Sequence, residues 1–244
     1  MSYEPTRPLP NTWQAQNAAP VRRRRRRWPI VTLIVVILLV ILAVAADRVA
    51  CAVAENKMAS QIENAGFPAK PHVTIDGFPF LTQLAKKDFN DVVISASNVT
   101  EGPLQIASVN ATLHGMHLID GFTGARIDTI NGTALITFDA LASAGGVPQG
   151  ITLTPGSSPD QINANIDILG YNTSVTAQLS RVSADQFNVR ITSAGGVPTS
   201  LLGNLVNFTT TVPKLPAGMS IQSVSVTQQG VVITITGQNT TLSQ

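Results

Sequence analysis

Gln161-Ile162-Asn163-Ala164-Asn165-Ile166-Asp167-Ile168 decides the fold, because apolar side chains at 162, 164, 166 and 168 alternate strictly with polar ones. Period-two alternation is the mark of a strand with one face in the core and one in water. The same pattern recurs at Val175, Ala177 and Leu179, at Phe187, Val189 and Ile191, and at Val231, Ile233 and Ile235. Longer strand-like runs cover His72 to Ile75, Asp91 to Val99, Leu104 to Leu118 and Arg126 to Phe138. Turn signals separate them at Glu101-Gly102-Pro103, Asp120-Gly121, Gly170 and Gln228-Gln229-Gly230. The stretches Asp139 to Ala144 and Pro198 to Phe208 read as short helices, and Gly145-Gly146 and Gly195-Gly196, each followed by Val-Pro, read as matching turns. The body of the chain is therefore antiparallel and rich in β-structure.

Upstream the periodicity changes. Asp47 to Ala65 lacks Pro and Gly and spaces Val49, Val53, Met58, Ile62 and Ala65 by about three or four, which predicts a helix stopped at Gly66 and Pro68 with that stripe packed on the downstream chain. With many strands and one long helix, the expected class is α+β, the helix packed in a strongly curved antiparallel sheet; a two-sheet sandwich is the alternative. Further upstream, residues 30 to 46 carry no charge. At about 1.5 Å per residue this run extends about 26 Å, enough to cross a bilayer core of about 30 Å once Trp28 and Pro29 reach the interface. Arg22 to Arg27 precede it while Asp47 and Arg48 after it cancel, so the positive-inside asymmetry puts the N-terminus in the cytoplasm. A cleaved secretory signal has the same polarity, with Ala43-Val44-Ala45 or Ala52-Val53-Ala54 as cleavage sites, but its apolar region is shorter, so length favours a retained anchor. Three segments result: a disordered basic cytoplasmic tail over 1–27, a transmembrane signal anchor over 28–46 and an extracytoplasmic domain over 47–244, placed in the periplasm.

Composition removes several function classes. The chain of 244 residues is 44% hydrophobic and 12% charged, which excludes a disordered, charge-driven polypeptide. Its net charge of +2 is carried by the tail: residues 1–27 hold seven Arg and one Glu, leaving the other 217 residues at −4. A nucleic-acid-binding body loses its electrostatic basis. A single cysteine, Cys51, excludes an internal disulfide framework and any zinc site of several thiolates. His114 and His117 lie three apart in a strand, on opposite faces unless a bulge at Gly115 intervenes, so no metal site is expected. No nucleophile elbow, phosphate loop or His-Glu-x-x-His motif is present. The expectation is a protein without catalytic activity and without a cofactor.

Asp76-Gly77-Phe78-Pro79-Phe80-Leu81-Thr82-Gln83-Leu84 sets three large apolar groups around a proline. Pro79 argues against a regular helix or central strand there, so Phe78, Phe80 and Leu81 are presented from a rigid turn. That turn either closes the core or forms the wall of an apolar cavity. This segment, the strand Asp91 to Ala96, and Leu215-Pro216-Ala217-Gly218-Met219 followed by Val224-Ser225-Val226 and Gly230-Val231-Val232-Ile233 together resemble the LmeA-like family of actinobacterial envelope proteins. The resemblance covers about residues 47 to 237. It implies a fold related to the tubular lipid-binding proteins, binding of phospholipid with phosphatidylinositol among the ligands, and support of a membrane mannosyltransferase that elongates lipomannan. Ala85-Lys86-Lys87-Asp88-Phe89 departs from the family pattern, where a glycine is expected.

The leading expectation is thus a membrane-anchored extracytoplasmic phospholipid-binding protein that holds or carries lipid in an apolar cavity. Acyl chains gain about 0.8 kcal/mol per buried CH₂, so such a cavity needs no catalytic group. Its expected lining is Phe78, Phe80, Leu81, Leu84, Ile166, Ile168, Val189 and Ile191, with Lys86 and Lys87 as headgroup candidates or simply a solvated pair. The competing expectation is an accessory module that docks on a membrane glycosyltransferase and encloses no ligand.

Overall fold

The computed structural model describes residues 28–102, 104–120, 124–144, 150–168, 171–183, 186–196, 208–211 and 218–243. The expected basic tail over 1–27, the short helix from Pro198 and the Gly145-Gly146 turn lie outside the described residues. The elements run α1 (Trp28–Asn64), β1 (His72–Asp76), α2 (Phe80–Lys86), β2 (Asp88–Glu101), β3 (Leu104–Ile119), β4 (Gly124–Thr137), α3 (Phe138–Ala144), β5 (Ile151–Pro155), β6 (Gln161–Ile168), β7 (Tyr171–Arg181), β8 (Gln186–Ser193), β9 (Phe208–Thr211), β10 (Met219–Val226) and β11 (Gly230–Ser243).

α1 is one continuous helix of 37 residues, joining the uncharged run to the predicted helix without a break. It stops where the sequence indicates. Gly66, at φ 102, takes the left-handed position, with Gly66 N–H donating to Glu63 O and Phe67 N–H to Ile62 O, the paired closure of a glycine-ended helix. The two parts of α1 differ sharply in burial. Every residue from Trp28 to Ala46 is exposed, whereas Asp47, Cys51 and Ala59 are buried.

The buried stripe differs from the expected one. Val49 and Val53 point outward and are exposed, and the side facing the sheet carries Asp47, Cys51, Glu55, Met58, Ala59 and Ile62. The cause is polar. Asp47 and Glu55 accept backbone N–H groups from the facing segments, Glu55 from Ile75 at 2.9 Å, and so fix the helix rotation.

All strand pairings are antiparallel, in two sheets: β1-β2-β3-β4-β11-β10 and β5-β6-β7-β8-β9. The α+β class is as predicted; the single strongly curved sheet is not. The larger sheet is neither closed nor strongly curled, and β1 and β10 are its edges. Alternation along a strand marks which face is apolar but is silent on where one sheet ends and another begins.

One face of the larger sheet carries two apolar clusters. At one end Val73, Ile75, Phe89, Val92, Leu113, Met116, Ile127 and Ile130 pack with the C-terminal part of α1. At the other, Ile136, Ile221, Val226, Val231 and Ile233 pack with α3 and with Ile162, Leu179 and Val189 of the smaller sheet. Arg181 donates to Ile221 O at 2.8 Å, and Val226 N–H to Pro159 O at 2.5 Å, tying the sheets beside this second cluster.

A single line crosses four strands of the larger sheet. The pairings of β2 with β3, β3 with β4 and β4 with β11 each skip a pair at this level, at Asn90/Gly115, Gly115/Asp128 and Asp128/Asn239. Buried residues on either side of the line are three apart in every strand: Phe89 and Val92, Leu113 and Met116, Ile127 and Ile130, Gly237 and Thr240. Each strand takes an extra outward residue at the same level, so the inward set is re-phased and the register survives. Gly115, at φ 62, and Asn239, at φ 49, supply the left-handed conformations this needs.

Candidate functional site

The Gly77–Leu84 segment is held from the helix. Asp47 is the first charged residue after the uncharged run, and its carboxylate accepts the N–H groups of Phe80 at 3.1 Å and Leu81 at 2.8 Å, capping the start of α2. Arg48 pairs with the same carboxylate at 3.0 Å, donates to Gly77 O at 3.5 Å and lies 5.0 Å from the Phe78 ring centroid, a cation–π contact. Gln83 closes the far side, donating to Asp76 O at 3.2 Å and accepting Asn90 N–H at 3.4 Å. Lys87, at φ 57, ends α2 with its N–H on the Gln83 and Leu84 carbonyls.

Pro79 therefore does not exclude a helix here. It stands at the N-cap position, where an extended backbone is required, and α2 begins at the next residue. The three apolar groups part company. Phe80 is 1% exposed, its ring 6.1 Å from that of Phe89, while Phe78 is 61% exposed and Leu81 45%. Leu84 is half-buried against the helix–sheet cluster, and Lys86 and Lys87 are exposed.

Burial alone would raise the Asp47 carboxyl; the Leu81 and Phe80 N–H groups and the Arg48 guanidinium outweigh it and hold its pKa below the ordinary 3.8. A carboxylate depressed in the folded state contributes stability above the unfolded pKa and loses it as pH falls through the folded value. Thermal unfolding followed from about pH 7 down to about pH 2 should show this loss below about pH 4 in the parent chain. In Asp47→Asn the loss should be smaller, with a lower Tm at neutral pH. Equal acid sensitivity in both chains would remove Asp47 from the account.

The remaining candidates lie on the smaller sheet. Its apolar face is built from Ile151 and Leu153 of β5, Ile162, Ala164 and Ile166 of β6, Val175, Ala177 and Leu179 of β7, and Val189 and Ile191 of β8, which the register sets side by side. Ile162, Leu179 and Val189 meet the larger sheet. Ile151, Leu153, Ala164, Ile166, Ala177 and Ile191 are only half-buried. Ile168 belongs to β6, but its side chain lies outside the described residues. The sequence candidates thus fall in two places, Phe78 to Lys87 beside the helix and Ile166, Val189 and Ile191 on the smaller sheet.

The histidines sit elsewhere. The left-handed Gly115 puts His114 and His117 on the same outward face of the larger sheet, the exception the sequence left open. His114 pairs with Asp91, and His117 lies 3.5 Å from Asp88 and 3.7 Å from Asp128. Among the described residues no three His, Cys, Asp or Glu are placed to hold a metal ion.

Sequence reasoning missed Asp47, Arg48 and Glu55. It took the first two as charges that cancel. Their backbone partners lie 20 to 34 residues away, and no local pattern announces such a contact.

The described residues thus form an α+β body that follows a helix long and apolar enough to cross a membrane. The chain belongs to the LmeA-like phospholipid-binding family, whose model matches residues 45–236. This is a family of binding proteins and not a known enzyme family, and it carries lipid binding in general as the activity of the class. No curated protein and no solved structure matches the chain.

Proposed function

We propose that the protein is a membrane-anchored, extracytoplasmic phospholipid binder that shelters acyl chains on the apolar face of its smaller sheet. The family match carries the proposal. In this reading residues 28–46 span the membrane, 1–27 are cytoplasmic and 47–244 lie outside, as the arginine run before the apolar segment favours. Every side chain from Trp28 to Ala46 is exposed, as lipid contact requires.

The half-buried row of Ile151, Leu153, Ala164, Ile166, Ala177 and Ile191 supports the lipid site, because it leaves apolar area only partly covered by protein. Acyl chains laid on it gain about 0.8 kcal/mol per CH₂ without any polar contact. In this assignment Ile166 and Ile191 line the site, with Val189 at its border where the two sheets meet. Phe78, Phe80, Leu81, Leu84, Lys86 and Lys87 lie at the helix end of the larger sheet, apart from this row. Phosphatidylinositol as ligand and support of a membrane mannosyltransferase in lipomannan assembly are the finer form of the proposal and rest on the family resemblance.

Native mass spectrometry of the full chain, released from detergent after extraction from its own membrane, tests this. A bound phospholipid that survives release from the micelle is expected. Bare protein only, when refolded chain also fails to take up added phospholipid, would replace lipid binding with the docking-module reading.

A further inference from the structure

Among the described residues outside α1, four large apolar side chains are exposed: Phe78, Leu81, Val182 and Leu242. Two of the four share one turn, and that turn is the segment hydrogen-bonded to Asp47. We propose that Phe78 and Leu81 form a wedge that enters the outer interface of the same bilayer that α1 spans, next to the helix. The inference rests on the anchor reading and adds a second contact with the membrane surface.

The level of the wedge is set by the chain. Asp47 is the residue after Ala46, the last of the uncharged run, so a segment bonded to the Asp47 carboxylate is fixed where the helix leaves the hydrocarbon. A carboxylate at that depth is costly unless paired. Here its oxygens take two backbone N–H groups and the Arg48 guanidinium, which leaves the turn free of unsatisfied charge where it meets lipid. Arg48 over the Phe78 ring, with Lys86 and Lys87 at the far end of α2, sets cations beside apolar groups. That composition suits an interface with anionic headgroups, where rings and aliphatic tips enter and cations stay at phosphate level. Leu81 and Phe80 are adjacent in α2, yet one faces out and the other into the core, so the helix is amphipathic across this boundary.

The test uses the full chain in proteoliposomes of phosphatidylcholine and phosphatidylglycerol. In a Cys51→Ala background a single cysteine at Phe78, Leu81, Ile37 or Val182 carries an environment-sensitive fluorophore, and nitroxide-labelled lipids serve as quencher. Labels at 37, 78 and 81 should be quenched several-fold more than the label at 182. Quenching at 37 with labels at 78 and 81 as unquenched as 182 would overturn the wedge and leave the anchor standing. Equal, weak quenching at all four positions would overturn both. Because Phe78 and Leu81 are exposed, the labels should leave the thermal transition unchanged, which verifies that each labelled chain is folded.

Discussion

Replacing Phe80 with alanine should lower the Tm of the folded body by roughly 10 °C, while Phe78→Ala should leave it nearly unchanged. Phe80 is 1% exposed and packs on Phe89 within the cluster between α1 and the larger sheet. Removing a fully buried phenylalanine costs about 3–5 kcal/mol from lost transfer energy and the cavity left behind, and in a domain of this size each kcal/mol moves Tm by about 2–4 °C. Phe78, two residues earlier, keeps most of its surface in solvent and contributes little beyond its contact with Arg48. Thermal unfolding of the full chain in detergent, followed by circular dichroism of the strands, checks both. Equal losses for the two variants would show that the whole turn is core and that the division between them is wrong.

The second large effect concerns lipid. Ile166→Asp combined with Ile191→Asp should reduce phospholipid occupancy by roughly a hundredfold, since an ionised carboxylate facing acyl chains opposes binding by about 3 kcal/mol or more. Both positions are half-buried, so the variant should fold. Asn172→Asp, at an exposed position on β7 whose alternation places it on the other face of the same sheet, is the control and should keep full occupancy. Native mass spectrometry reads the bound fraction. Undiminished occupancy in a folded double variant would remove this face from the site.

Parts of this organisation are legible in the sequence and parts are not, for separable reasons. Ile162, Val175, Leu179, Val231 and Ile233 announce their strands because alternation is a local property, and each is buried or half-buried as the pattern requires. Gly66 announces the end of α1 because only a residue tolerant of positive φ fits there. The face of α1 is only partly legible from the apolar spacing, since Met58 and Ile62 face the sheet while Val49 and Val53 do not. What orients the helix is a pair of carboxylates with distant backbone partners, and hydrophobicity carries no record of that. The division into two sheets is equally hidden, since β4 pairs with β3 and β11 and the order is set by contacts far apart in the chain. α2 escapes notice because a proline just before a helix and a proline within one look alike until the N-cap is located.

The candidate site divides along the same lines. The Gly77–Leu84 segment is conspicuous because Phe, Pro, Phe and Leu in succession are rare in a polar loop, yet the sequence does not separate the buried Phe80 from the exposed Phe78 and Leu81. The Asp47 bonds to the Phe80 and Leu81 N–H groups fix the start of α2, and the packing of Phe80 into the helix–sheet cluster leaves Phe78 and Leu81 facing out. On the smaller sheet Ile166, Val189 and Ile191 are legible as one apolar face. Val189 being covered by the larger sheet, with Ile191 and Ile166 left partly open, depends on how the sheets meet.

Photolabelling tests the lipid assignment most directly. The full chain in proteoliposomes is irradiated with a phospholipid bearing a diazirine near the end of one acyl chain, and the adducts are mapped by peptide mass spectrometry. The account predicts adducts on β6 and β8, centred on Ile166 and Ile191, in addition to those on the apolar run of α1. Adducts confined to residues 28–46 and the Phe78–Leu81 turn would show that the protein touches the bilayer without sheltering a lipid.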